Sequence, residues 1–177
     1  MASEFQMRKI GNVFHAMDVD HNDLLEEDDF RALVDRWNGL RGYQPGSPEG
    51  DRIDRIMMGW WAALVANADQ NRDGKVSLDE LMILVDQLPA ARDQVVATAE
   101  AMFGAIDADG DGGIGLDEYK QMVQVWTQGD AGTDEIFPLL DANGDGQISW
   151  EEFSDLWCGF WIDDDESDPS KWVFGPF

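Results

Sequence analysis

Four acidic twelve-residue segments recur along the chain: Asp18 to Asp29, Asp69 to Glu80, Asp107 to Glu118 and Asp141 to Glu152. Each carries oxygen-bearing side chains at its first, third and fifth positions and closes on a carboxylate. Each also has an apolar residue at its eighth position, namely Leu25, Val76, Ile114 and Ile148, and the last three place Gly74, Gly112 and Gly146 at the sixth. The spacing has a mechanical reason. A hard divalent cation takes about six to eight oxygens at roughly 2.4 Å, so a chain that holds one has to wrap around it. Alternate side chains point inward, the seventh residue supplies its backbone carbonyl, and the twelfth closes the cage. The sharp turn at the sixth position needs φ > 0, which Gly adopts without a Cβ clash. One such match arises by chance. Four in the same register imply a chain built to hold calcium.

The candidate ligands follow position by position. The first loop offers Asp18, Asp20, Asn22, the Leu24 carbonyl, Glu26 and Asp29, and the second offers Asp69, Asn71, Asp73, the Lys75 carbonyl and Glu80. The third offers Asp107, Asp109, Asp111, the Gly113 carbonyl and Glu118, and the fourth Asp141, Asn143, Asp145, the Gln147 carbonyl and Glu152. Ser77 and Ser149, at ninth positions, can bind directly or hold a water, and Gly115 leaves room for one. Lys75 is expected to turn its amine to solvent, so that its charge does not oppose the ion. The first loop departs from the pattern twice, with Asp23 at the sixth position and Asp29 at the twelfth. Asp is one methylene shorter than Glu and less able to give both oxygens, which favours six-fold coordination and magnesium over calcium. His21, inside this loop, reads as a solvent-facing passenger.

Apolar residues at helical spacing flank every loop, as with Ile10, Val13, Phe14 and Met17 before the first and Phe30, Leu33, Val34 and Trp37 after it. The predicted fold is therefore all-α, with eight helices in four helix–loop–helix units. A lone unit leaves its apolar face exposed, so the first should pair with the second and the third with the fourth, with short β-bridges at the eighth residues. Loop starts at 18, 69, 107 and 141 are separated by 51, 38 and 34 residues. The long first gap holds Gly39 to Gly50, a turn-rich connector that is not expected to continue a helix, and Pro89 breaks the chain between the pairs. The expected organisation is an N-terminal pair over 1–88, a C-terminal pair over 89–162, and an acidic linker with an apolar tail over 163–177, packed into one compact body.

Composition excludes several classes. Thirty-seven Asp and Glu against twelve Lys and Arg give a net charge of −25, which repels nucleic acid and anionic membrane surfaces. Cys158 stands alone, so no internal disulfide forms and a reducing compartment fits. No run approaches the roughly 20 apolar residues of a membrane span, and the N-terminus lacks the apolar core of a signal peptide and the Gly of a myristoylation pattern. A cytoplasmic monomer with calcium ions as partners is the expectation. The Asp18-x-Asp20 pair superficially suits a phosphoryl-transfer nucleophile, but a helical pattern rather than a buried strand precedes it. Serine-hydrolase, zinc-protease and phosphate-loop motifs do not occur, so no enzyme is expected.

Eight Trp and nine Phe read first as rigid core and second as the lining of a cavity for an apolar ligand. The eight Met are dispersed, unlike the grooves of promiscuous target binders. After the acidic run Asp163 to Asp168, the apolar stretch Trp172 to Phe177 should fold back onto the body and help hold the two halves together.

The loops are those of the EF-hand. With the long first gap, the Asp-closed first loop Asp18 to Asp29, the loops from Ala68 to Glu80 and Ala105 to Tyr119, and Phe174-Gly175-Pro176 near the end, the chain resembles the sarcoplasmic calcium-binding proteins of invertebrates and their bacterial relatives. That resemblance implies a compact cytosolic calcium buffer that exchanges magnesium for calcium, with magnesium favoured at the Asp18–Asp29 loop. Members of that family commonly lose one or more hands, whereas all four loops are intact here. A calcium sensor that exposes an apolar groove to a target protein is the alternative. A luciferin-binding protein of the photoprotein kind, which shares the fold, is a further one. Only two His and two Tyr are present to line such a cavity, and no His lies near the C-terminus.

Overall fold

In each hand the loop residue that closes the ion cage also starts the helix that follows. The carboxylates of Asp29, Glu80, Glu118 and Glu152 accept hydrogen bonds from the backbone N–H groups of Glu26, Ser77, Gly115 and Ser149 at 2.8, 2.9, 2.9 and 2.9 Å. The Ser77 and Ser149 hydroxyls return the contact by accepting from the Glu80 and Glu152 N–H groups, which completes a capping box. Helix initiation and ligand placement therefore share the same atoms.

The computed structural model describes residues 3–176, leaving Met1, Ala2 and Phe177 outside the described residues. Eight α-helices are present among them. α1 (Glu4–Met17) and α2 (Glu27–Arg41) flank the first loop, and α3 (Pro48–Ala68) and α4 (Leu78–Val85) the second. α5 (Arg92–Ile106) and α6 (Leu116–Thr127) flank the third, and α7 (Thr133–Leu140) and α8 (Trp150–Ile162) the fourth. Two antiparallel ladders tie the loops in pairs. β1 (Leu24–Leu25) joins β2 (Val76–Ser77), with Leu25 opposite Val76; β3 (Gly113–Gly115) joins β4 (Gln147–Ser149), with Ile114 opposite Ile148. All four of these eighth-position residues are buried. The pairing and the all-α class match the sequence reading. The first connector is shorter than that reading, because helix runs in from both sides. Gly42, at φ 69°, ends α2, and Ser47 accepts from the Gly50 N–H so that Pro48 opens α3, a position where the missing proline N–H is not needed.

The two pairs of hands meet through aromatic rings. Trp60 of α3 lies 5.9 Å from Trp126 of α6, 5.9 Å from Trp157 of α8 and 6.3 Å from Trp161 of α8, measured between ring centroids. Trp37 of α2 meets Trp126 edge-on at 6.5 Å. Such pairs contribute roughly 0.5–1.5 kcal/mol each beyond the area they bury. Polar contacts cross the same boundary: Arg41, at the end of α2, donates to the Ala105 and Ile106 carbonyls, both at 2.6 Å, one residue short of the third loop.

The tail meets the N-terminal half at its start, where Trp172 borders a small cleft with Phe5, Lys9 and Asn12 of α1. Phe174 is fully buried, but its ring neighbours are Trp126 of α6 and Trp157, Phe160 and Trp161 of α8, all in the C-terminal half. Tyr119 Oη of α6 donates to the Trp172 carbonyl at 2.7 Å, and Phe177 lies outside the described residues. The acidic linker supplies polar contacts to the N-terminal half. Ser3 bonds Asp164, Arg8 pairs with Glu166 at 2.7 Å, and Lys9 Nζ donates to the Asp163 and Gly159 carbonyls at 2.7 and 3.3 Å. Charge does this work because α1 presents cations where the linker is most acidic.

Lys9 is only 5% exposed, and burial drives its amine down from 10.5 to about 8 against the pull of Asp163, Asp164 and Asp168. The folded value lies below the unfolded one, so between those limits the unfolded chain binds more protons and stability rises with pH. Denaturant titrations from pH 8 to pH 10.5 should show the wild type gaining stability relative to Lys9→Met. A difference that stays flat across this window would mean that Lys9 keeps its ordinary proton affinity.

Candidate metal centres

Backbone geometry shapes each loop before any ion is considered. The sixth residues Asp23, Gly74, Gly112 and Gly146 have φ of 64°, 81°, 90° and 91°. Asp23 thus adopts the left-handed turn that Gly takes in the other loops, a conformation Asp tolerates better than most side chains. The fourth residues do the same, with His21, Arg72, Gly110 and Gly144 at 58°, 62°, 73° and 72°, a second turn that the motif alone did not suggest.

These turns aim N–H groups at the loop carboxylates. The first-position residue accepts from the residues that follow it: Asp18 from Asn22 and Asp23, Asp69 from Arg72, Asp73 and Gly74, Asp107 from Gly110 and Gly112, and Asp141 from Gly144, Asp145 and Gly146. The third-position Asp20, Asn71, Asp109 and Asn143 accept from the fifth residue at 2.8 to 3.2 Å. The fifth-position Asn22, Asp73, Asp111 and Asp145 accept from the N–H of Leu24, Lys75, Gly113 and Gln147. Each side chain keeps an oxygen lone pair for a further partner, because a carboxylate or amide oxygen accepts more than one bond.

The donor sets fit a hard cation. Ligand oxygens of Asp18, Asp20 and Asp29 lie within 4.8 Å of one another, as do those of Asp107, Asp109 and Glu118. Oxygens around one ion at about 2.4 Å can be no farther apart than that. The second and fourth loops have Asn at the third position and therefore two charges fewer between them. His15, Asp18 and Asp23 also come within 4.8 Å, but both His15 and His21 are exposed, and Asp18 already belongs to the first loop.

Electrostatics separates the first loop from the second and fourth. Asp29 is 4% exposed, and burial pushes its carboxyl above the usual range, against hydrogen bonds from Glu26 and Val19. Glu80 moves the other way, held low first by the Ser77 N–H. Burial also opposes ionisation of Glu152, but the Ser149 and Asn143 bonds prevail and its value falls. Charge on the first loop's closing residue is thus the least compensated of these three.

Lys75 keeps its amine at the surface, its side chain 40% exposed, and there Nζ lies 2.6 Å from Glu26 Oε1 in the first loop. The β1–β2 ladder brings the seventh residue of one loop beside the ninth of its partner, and the nearest unpaired carboxylate captures the ammonium. Glu26 also accepts from Asn22 Nδ2 at 2.8 Å, and these two contacts hold its carboxyl below the ordinary range. In the other pair of hands Gln147, again a seventh residue, donates Nε2 to Asp111 Oδ2 at 2.7 Å. Gly113 makes this crossing possible, since a Cβ there would sit 2.5 Å from Gln147 Oε1. Position-by-position reading treats each loop alone and so missed both bridges; aligning the paired loops antiparallel sets Lys75 beside Glu26, whereas Gln147 falls opposite Gly115 and reaches Asp111 only by crossing Gly113.

The model of an EF-hand domain pair matches residues 61–124 and that of a single EF hand residues 133–157. The chain is 32% identical over 118 residues to the sarcoplasmic calcium-binding protein beta chain of a Penaeus shrimp, an alignment covering 61% of this chain and 60% of that one. It therefore spans less than two thirds of that relative's length. Among solved structures, the sarcoplasmic calcium-binding protein of amphioxus superposes with a TM-score of 0.75 at 18% identity, covering all of both chains. Calcium-loaded apo-aequorin of Aequorea victoria does so with a TM-score of 0.72 at 20% identity, over 93% of this chain and 94% of that one. These two share the fold.

Replacing Glu118 with Gln removes one charge from the third donor set without changing its size. Titration calorimetry with calcium should count one ion fewer per chain; an unchanged count would take the third loop out of the metal-binding set.

Proposed function

We propose that this chain, which belongs to the EF-hand calcium-binding proteins and is a homologue of the sarcoplasmic calcium-binding proteins, works as a cytoplasmic, monomeric calcium buffer. The observation that carries the reading is the Trp60 cluster. A sensor works by opening a helix pair to expose an apolar groove. Here Trp60, on the helix leading into the second loop, is packed against three tryptophans of the C-terminal half. Opening that pair would break the contacts that hold the halves together, so ion binding is better spent on tightening the fold than on recruiting a target. No helix among the described residues is long and apolar enough to cross a membrane.

All four loops hold ions in this reading. Empty, their carboxylates repel one another; a cation relieves the repulsion, so binding and folding are coupled. Magnesium fills the Asp29-closed loop in resting conditions, because the shorter closing arm supplies the six-fold geometry that the smaller ion demands. Calcium then enters at a rate set by magnesium departure, which suits slow buffering. A light-emitting role finds less support, since both His15 and His21 are exposed and neither borders the apolar cavity between α3, α4 and α5.

Calcium calorimetry with and without millimolar magnesium tests the assignment. Magnesium should weaken calcium binding at one or more sites, and Asp29→Glu should shrink that effect. Tight calcium binding indifferent to magnesium would contradict the buffer and favour a sensor.

A further inference from the structure

An open cavity of about 690 Å³ lies between α3, α4 and α5, within the range of about 300–1,000 Å³ that small-molecule sites occupy. Small residues create it. Gly59 and Ala63, one turn apart on α3, border the same space as Ala97 and Ala101, one turn apart on α5, and Trp60 and Trp161 supply aromatic wall. Helices with such small residues could pack closely; here they leave a space walled largely by carbon.

Two cations break that apolar lining. Arg52 and Arg55 of α3 border the cavity, and among the described residues neither makes an ion pair or a hydrogen bond. Other arginines nearby are engaged: Arg31 pairs with Glu27 and Asp54, and Arg41 caps α5. Arg52 reaches across to α5, where a Cβ at Gly104 would come within 3.1 Å of its Nη2. With Asp and Glu outnumbering Lys and Arg by 37 to 12, two guanidinium groups bordering one apolar cavity concentrate positive charge on a strongly acidic chain. Arginine's planar, weakly hydrated fork is suited to a carboxylate or a related oxyanion.

We propose that this cavity binds a small apolar molecule carrying one anionic group, of the class of a fatty acid or an aromatic sulfonate. Its hydrocarbon body lies against Trp60 and Trp161 and its anion meets Arg52 and Arg55. The site is separate from the metal loops, so the proposal stands or falls independently of the buffering role.

Two dyes that differ only in the anion test this on the calcium-loaded full chain: anilinonaphthalene sulfonate and the uncharged N-phenylnaphthylamine. Both should bind at one site. Joint replacement of Arg52 and Arg55 by Gln should weaken the sulfonate about tenfold and leave the neutral dye unchanged. Ala63→Trp, which fills the cavity, should abolish both, while the calcium count stays that of the wild type in every variant. Three results would overturn the proposal: no dye binding, equal effects of the arginine variant on both dyes, or displacement of both by an amphipathic helical peptide that binds more tightly, which would assign the groove to a protein partner.

Discussion

Like charges crowded into twelve residues are the constraint on which this molecule depends. Each loop places three or four carboxylates around one centre, and in the first and third their oxygens approach within 4.8 Å. Without a counter-charge that arrangement is unfavourable, and the backbone N–H groups of the left-handed turns offset only part of it. The closing carboxylates are also the helix-capping groups. Whatever stabilises the loops therefore stabilises the starts of α2, α4, α6 and α8, and through them the core.

The pairing of hands extends this dependence from one loop to its neighbour. The ladders bring Lys75 onto Glu26 and Gln147 onto Asp111, so a ninth-position carboxylate of the first loop and a fifth-position carboxylate of the third are each held by a residue of the partner loop. Arg41 adds a link between the halves, fixing the last carbonyls of α5 immediately before Asp107. The aromatic cluster around Trp60 completes one continuous core in which no hand is isolated from the rest.

Much of this was legible in the sequence because the information is local. The twelve-residue spacing fixes the turns, the capping pairs and the donor sets, and helical periodicity on either side fixes which faces are buried. What was not legible depends on contacts between distant segments. The capture of Lys75 by Glu26 requires knowing the register of the β1–β2 ladder, and the crossing of Gln147 over Gly113 requires that of β3–β4. The division of labour between linker and tail was hidden for the same reason. Phe174 found its aromatic neighbours on α6 and α8 and Trp172 borders α1, while the acidic run found Arg8 and Lys9 on α1. The connector after α2 was misjudged for a local reason: Pro48 with Ser47 before it is a helix start as well as a helix breaker, and only the capping bond to Gly50 decides between them.

Unfolding free energy measured by denaturant titration, with excess calcium and then with excess chelator, tests the central claim most directly. At a hundredfold excess over its dissociation constant, one ion stabilises the folded state by about 2.7 kcal/mol. Occupation of four loops therefore predicts a stabilisation several times that size, with the chelated chain losing fixed aromatic packing as well as its ions. Equal stability in calcium and in chelator would contradict the account, because it would mean that the carboxylates are already compensated without a cation.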